Sequence, residues 1–308
     1  MSAAIVLLFL VVGLWPSDAW AWGPYAHLDF GHQVLKNLSL LPAHMRALLQ
    51  AFPFDYLYGC IYADVIIGKN RATFAKHCHN WKVAFDIFHH AETLRQRAFM
   101  LGYLSHLAAD IIAHNYFVPF KIVESWPTRF LKHLYWELRY DQKLFSKVED
   151  VAKKVAKQDM TENQEFLAQH LVRTLFSMGL NKRLFRGFVF LQNLERWQRT
   201  ITTIAVRSSW PLTHEDYVEC GELAMNAIYS MLIDFEESAT VLVDARGELT
   251  IGRSMEIRRD LKLGFSDRKE DNGFVTFVGD EYKQHFRRGI YNRLNLPMVH
   301  EVARRFKG

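Results

Sequence analysis

The sequence predicts an all-α protein, a multi-helix bundle. Half of its 308 residues are hydrophobic, and apolar residues recur at helical spacing through 28–38, 99–120, 130–155, 166–178, 184–206 and 217–243. Runs with the two-residue alternation of a half-buried strand are scarce before residue 240. Pro42, Pro53, Pro119, Pro127 and Pro211 mark helix edges, because proline lacks the N–H that an interior turn needs. Thr161 with Gln164 fits a capping box opening the helix that follows.

The N-terminus reads as an export leader. Residues 4–14 are almost wholly apolar, Pro16 follows, and Ala19-Trp20-Ala21 is a small-residue cleavage site. The apolar run is shorter than the roughly 20 residues a membrane-spanning helix needs. Cleavage after Ala21 makes Trp22 the first residue of the mature chain and predicts a secreted or periplasmic protein. The leader has no Lys or Arg, so an uncleaved N-terminal anchor is the alternative. The expected organisation is a signal peptide over 1–21, a helical domain over 22–245 and a C-terminal extension over 246–308. In that extension 249–251 and 274–278 read as short strands, punctuated by Gly247, Gly252, Gly264, Gly273 and Gly279.

The formal charge of +5 is mild. It suits phosphate or a membrane surface and falls short of the dense basic character of a dedicated nucleic-acid binder. Arg258, Arg259, Lys262, Arg287, Arg288, Arg304, Arg305 and Lys307 concentrate in the tail, as a solvated face or a headgroup contact. Three cysteines are too few for a disulfide scaffold. Cys60 and Cys78 either bridge or are buried thiols.

The chemistry lies in a spaced set of metal-ligand types: His27, Asp64, His77, His106, Asp110, His114, His133 and Glu137. In His106-Leu-Ala-Ala-Asp110-Ile-Ile-Ala-His114, successive steps of four place three ligand types in a row on one helical face, drifting about 40° per step. The neighbours Leu107, Ile111 and Ile112 are apolar, so the row is expected to be buried, where polar groups are costly unless a metal or hydrogen bonds satisfy them. His133-Leu-Tyr-Trp-Glu137 repeats the spacing. With 14 His and 33 acidic residues, roughly one or two His-x-x-x-acid pairs arise by chance and two are present, so neither pair decides anything alone.

Taken in order, Trp22-Gly-Pro-Tyr-Ala-His27, Ile61-Tyr-Ala-Asp64, Ala72-Thr-Phe-Ala-Lys-His77, His106 to His114 and His133 to Glu137 resemble the zinc-dependent phospholipase C family, which includes the N-terminal domain of glycosylphosphatidylinositol-specific phospholipase D. The resemblance implies an all-helical domain with up to three Zn²⁺, to which the first residue of the mature chain, Trp22, contributes its backbone amine and carbonyl. It implies one zinc on Asp64, His77, His106 and Asp110, and a second on Trp22, His27 and Asp110. The third would sit on His114, His133 and Glu137. Three Zn²⁺ against three carboxylates and one hydroxide leave about +2, suited to a phosphodiester. The implied reaction is hydrolysis of phospholipid head-group phosphodiesters at a membrane surface by a metal-activated hydroxide, with Asp64 as ligand and base. The Asp110 to His114 spacing, four with no proline, is nearer the phospholipase D-type domain and leaves open which ester bond is cut.

His79 is the alternative to His77 as ligand, and His89-His90 beside Asp86 is a possible site of its own. Tyr25, Tyr58, Tyr62, Trp81, Phe117 and Trp136 are lipid-pocket or core aromatics. Two other functions stay open: a single-strand-specific zinc nuclease, whose last pair is usually His-x-x-x-Asp where Glu137 stands here, and a non-catalytic zinc-stabilised protein that binds a membrane or partner.

Overall fold

The computed structural model describes residues 22–63, 79–128, 133–170 and 210–306, and among them every regular element is a helix. The leader, Asp64, His77, Cys78 and the stretch 184–206 lie outside the described residues. At the centre runs α5 (Leu94–Ile112), opened by a capping box in which the Gln96 amide donates to Thr93 Oγ1 and the Thr93 amide to Gln96 Oε1, both at 3.2 Å. Every residue of α5 from Ala98 to Ile112 is buried, so it is wrapped on all sides and needs apolar residues all round. It passes into a single π-turn (Ala113–Phe117) and runs on as α6 (Val118–Glu124), whose Pro119 follows directly on the wider coil.

Around α5 pack α1 (Pro24–Lys36), α2 (Ala43–Ala51), α3 (Pro53–Tyr62), α4 (Trp81–His89), α9 (Thr161–His170) and α10 (His214–Asp234). Helices α3 and α5 cross with their backbones in contact. A Cβ on Gly59 would stand 1.9 Å from the Phe99 carbonyl oxygen, and one on Gly102 2.0 Å from that of Tyr56. Against α1 lie α7 (His133–Gln142) and α8 (Phe145–Ala156). The Asp141 carboxylate of α7 accepts the Ala26 amide at 2.9 Å and the Tyr25 amide at 3.3 Å, closing the start of α1.

Beyond residue 245 the described residues form α11 (Glu248–Gly264), α12 (Asn272–Gly289) and α13 (Val299–Arg305). The short strands expected at 249–251 and 274–278 are therefore corrected to helix. The buried residues Thr250, Ser254, Ile257, Arg258 and Leu261, and then Phe274, Val275, Val278, Tyr282 and Phe286, follow a three-to-four spacing that short windows of β-forming residues conceal. The capping box expected at Thr161 and Gln164 is also corrected: the Thr161 amide donates to Asp159 Oδ1 at 3.0 Å, and Gln164 instead reaches the Tyr58 hydroxyl at 2.6 Å.

Both α11 and α12 pack on α6. Arg258 is no solvated residue. It is buried and donates to the carbonyls of Ile122, Ser125 and Thr128, each at 2.8 Å, a cation at a helix C-terminus. Lys121 of α6 is fully buried and pairs with Asp216 of α10 and Glu124, both at 2.6 Å, while Lys283 of α12 pairs with Asp216 at 2.6 Å. Among the described residues no helix is long and apolar enough to cross a membrane.

Candidate metal centre

One carboxylate organises the centre. Asp110, in the last turn of α5, is completely buried. His106, one turn earlier as the four-residue spacing predicts, brings Nε2 to 3.2 Å from Asp110 Oδ2. His27 of α1 places its Nε2 3.2 Å from Oδ1, and its ring stacks on that of His106 at 3.7 Å between centroids. His79 approaches from the residue before the α4 N-cap, with Nε2 3.3 Å from Asp110 Oδ2 and 3.1 Å from His106 Nε2. The donor atoms of His27, His106 and Asp110 all lie within 4.8 Å of one another.

This donor set suits zinc. His106 Nδ1 lies 2.9 Å from the Cys60 carbonyl oxygen, which can only accept, so Nδ1 carries a proton and Nε2, facing Asp110, is left for a metal cation or a second proton. Imidazole and carboxylate are the ligands zinc favours, and two imidazole nitrogens 3.1 Å apart need a shared cation or proton between them. Burial alone would raise the Asp110 carboxyl, but the facing His106 and His27 hold it well below the usual carboxylate range. Neither Asp110 oxygen accepts a directed hydrogen bond among the described residues; imidazole nitrogens surround it instead.

Trp22 lies against this turn. Its indole N–H donates to the Ala109 carbonyl at 2.9 Å, and the ring stacks on Phe117 at 5.0 Å. His114 is buried within the π-turn, where the wider coil interrupts the α-helical row, and it is not among the three residues grouped around Asp110. Its Nδ1 donates to the Ala245 carbonyl at 2.6 Å, so it too presents Nε2 as an acceptor or ligand. Glu137 of α7 is buried, and the side chain of His133 lies outside the described residues.

His79, set beside His77 as an alternative in the sequence, is brought to Asp110. Its signal was Asn80, whose side chain accepts the Val83 amide and starts α4, while the Trp81 indole N–H anchors the helix on the Val243 carbonyl at 2.9 Å. The Cys60 and Ala245 carbonyls carry no sequence mark. The site imagined at His89-His90 is corrected: His89 pairs with Glu236 at 2.7 Å and His90 with the Asp86 backbone. Tyr25, Tyr58, Tyr62, Trp81, Phe117 and Trp136 are core aromatics, and Cys60 is a buried free thiol.

A family model described as zinc dependent phospholipase C matches residues 26–181. No curated protein and no solved structure matches the chain.

Proposed function

Because the chain belongs to the zinc dependent phospholipase C family, we propose that it is an exported zinc phosphodiesterase that hydrolyses the head-group phosphodiesters of phospholipids. The observation that carries this reading is the buried convergence of His27, His79 and His106 on Asp110. In our assignment Asp110 would be a ligand shared by two zinc sites. His106 and His79, the latter in place of His77, would serve the first with Asp64 carried from the sequence pattern; His27 and the backbone of Trp22 would serve the second; His114, His133 and Glu137 would hold a third.

Bound zinc supplies Lewis acidity toward the phosphate oxygens and acidifies the water that attacks phosphorus. The protein's own groups do the rest. Asp110 stays ionised between the imidazoles, the Cys60 carbonyl keeps His106 in the ligating tautomer, and the apolar walls of α5 exclude bulk water, which strengthens every charge interaction with an anionic substrate. Asp64 is assigned the role of base.

The test uses exported protein whose N-terminus is confirmed by mass spectrometry to be Trp22. Elemental analysis should find about two to three zinc per chain, falling in His106→Ala and Asp110→Ala. Phosphatidylcholine vesicles should then yield phosphocholine for C-type cleavage or choline for D-type. Absence of zinc, or cleavage of single-stranded DNA with phospholipid untouched, would overturn the proposal.

A further inference from the structure

A turn far outside the matched family region grips His114. The Ala245 carbonyl accepts His114 Nδ1–H at 2.6 Å and thereby fixes both the ring's orientation and the nitrogen that bears the proton. The backbone just before that carbonyl is itself held. The Asn115 side-chain amide donates one hydrogen to the Ile111 carbonyl at 3.0 Å and the other to the Asp244 carbonyl at 2.8 Å. Its oxygen accepts the Thr250 hydroxyl at 3.0 Å, so all three of these contacts agree on one amide orientation.

Gly247 completes the grip. It adopts the left-handed region at φ 56°, and a Cβ there would stand 2.5 Å from the His114 carbonyl oxygen and 2.6 Å from His114 Cβ. On the other side of the turn, Trp81 fixes the Val243 carbonyl, and the Asp244 carboxylate accepts the Arg246 and Glu248 amides. A turn bonded this fully against a single imidazole does more than cover a helix.

Resting on His114 as a zinc ligand, we propose that the 244–250 turn is a positioning element of the metal centre. Ala245 sets the His114 tautomer through its backbone, and Asn115, Gly247 and Thr250 are the positioning residues that hold that backbone in place. The metal-binding unit therefore extends past residue 245, and the C-terminal helices are part of it.

The experiment uses full-length protein carrying Gly247→Ala, Asn115→Asp, Thr250→Val or Thr250→Ser, with folding of each checked by circular dichroism. In zinc-stripped protein, ¹⁵N NMR of the imidazoles should find His114 as the Nδ1–H tautomer in the wild type. It should find mixed tautomers in Gly247→Ala and Asn115→Asp. On reloading, chelator competition should show one zinc weakened about 10- to 100-fold in those variants with the remaining zinc unchanged, a smaller effect in Thr250→Val, and none in Thr250→Ser. If Gly247→Ala does not fold, Asn115→Asp and Thr250→Val carry the test. Folded variants with wild-type tautomer and zinc affinity would overturn the inference, as would a wild-type His114 protonated on Nε2. Wild-type protein that shows the expected tautomer yet takes up no zinc would leave the positioning intact and overturn the proposed function instead.

Discussion

Replacing Trp22 by alanine should be among the most damaging single changes available to the chain. The side chain is wholly buried, stacks nearly parallel to Phe117 at 5.0 Å, meets Tyr140 at 4.3 Å, and gives its indole hydrogen to Ala109. Truncating a tryptophan in such a setting costs about 3–5 kcal/mol, a large share of the roughly 5–15 kcal/mol that holds a domain folded. Trp22→Phe retains a ring against Phe117 but gives up the indole hydrogen bond, worth about 1 kcal/mol, and leaves a smaller void, so its total should be about 1–2 kcal/mol. Urea unfolding of zinc-stripped protein measures both, read from midpoints if the slope is unchanged. Because the ring is bonded to the residue before Asp110, Trp22→Ala should also bind less zinc. A Trp22→Ala protein within about 1 kcal/mol of the wild type, well below the cavity cost, would refute this account of how residue 22 is seated.

His79→Ala should lower zinc stoichiometry more than His77→Ala, since the His79 imidazole lies 3.3 Å from Asp110; equal losses, or a larger one from His77→Ala, would return the ligand role to His77. Burial pushes the Cys60 and Cys220 thiols up, so neither should react with an alkylating reagent until the protein is unfolded; mass spectrometry of native, labelled protein decides. Burial tends to raise the Asp216 carboxyl, yet Lys121 and Lys283 hold it below its ordinary value of 3.8. A depressed folded value means the stabilisation is fully present above pH 3.8 and fades as pH falls through the lower folded value. Asp216→Asn should thus cost about 1.5–3 kcal/mol at neutral pH, because buried Lys121 loses one of its two carboxylate partners and keeps Glu124, and the gap from wild type should close in acid. A gap that stays constant as urea midpoints are followed downward in pH would contradict that linkage.

The helical class was legible because burial on one face leaves a period, and α8, with Phe145, Val148, Ala152 and Val155, and α10, with Leu223, Ala224, Ala227, Ile228 and Met231, carry it plainly. The tail was not, because 249–251 and 274–278 are short windows rich in β-branched and aromatic residues, and only the longer spacing of Ile257, Leu261, Tyr282 and Phe286 reveals the helix. The partnership of His106 and Asp110 followed directly from four-residue spacing. The same rule does not carry the row on unbroken through His114, because the π-turn at 113–117 changes the pitch and no residue type announces a π-turn. Arg258 looked like surface charge because a guanidinium satisfied by carbonyls and the Ser125 and Thr128 hydroxyls leaves no paired acid in the sequence to give it away.

The glycine crossing of α3 and α5 has a bearing on how the centre can change over time. The group that fixes His106 is a main-chain oxygen, so the side chain at position 60 is irrelevant to it, and Cys60 can drift among small residues without touching the chemistry. The distance between that oxygen and the imidazole is instead written into Gly59 and Gly102, whose bare Cα atoms set the spacing of the two helices. Selection on the metal centre would then be felt at two residues that bind nothing, and a designer wishing to retune His106 would work on the interhelical gap before altering any ligand.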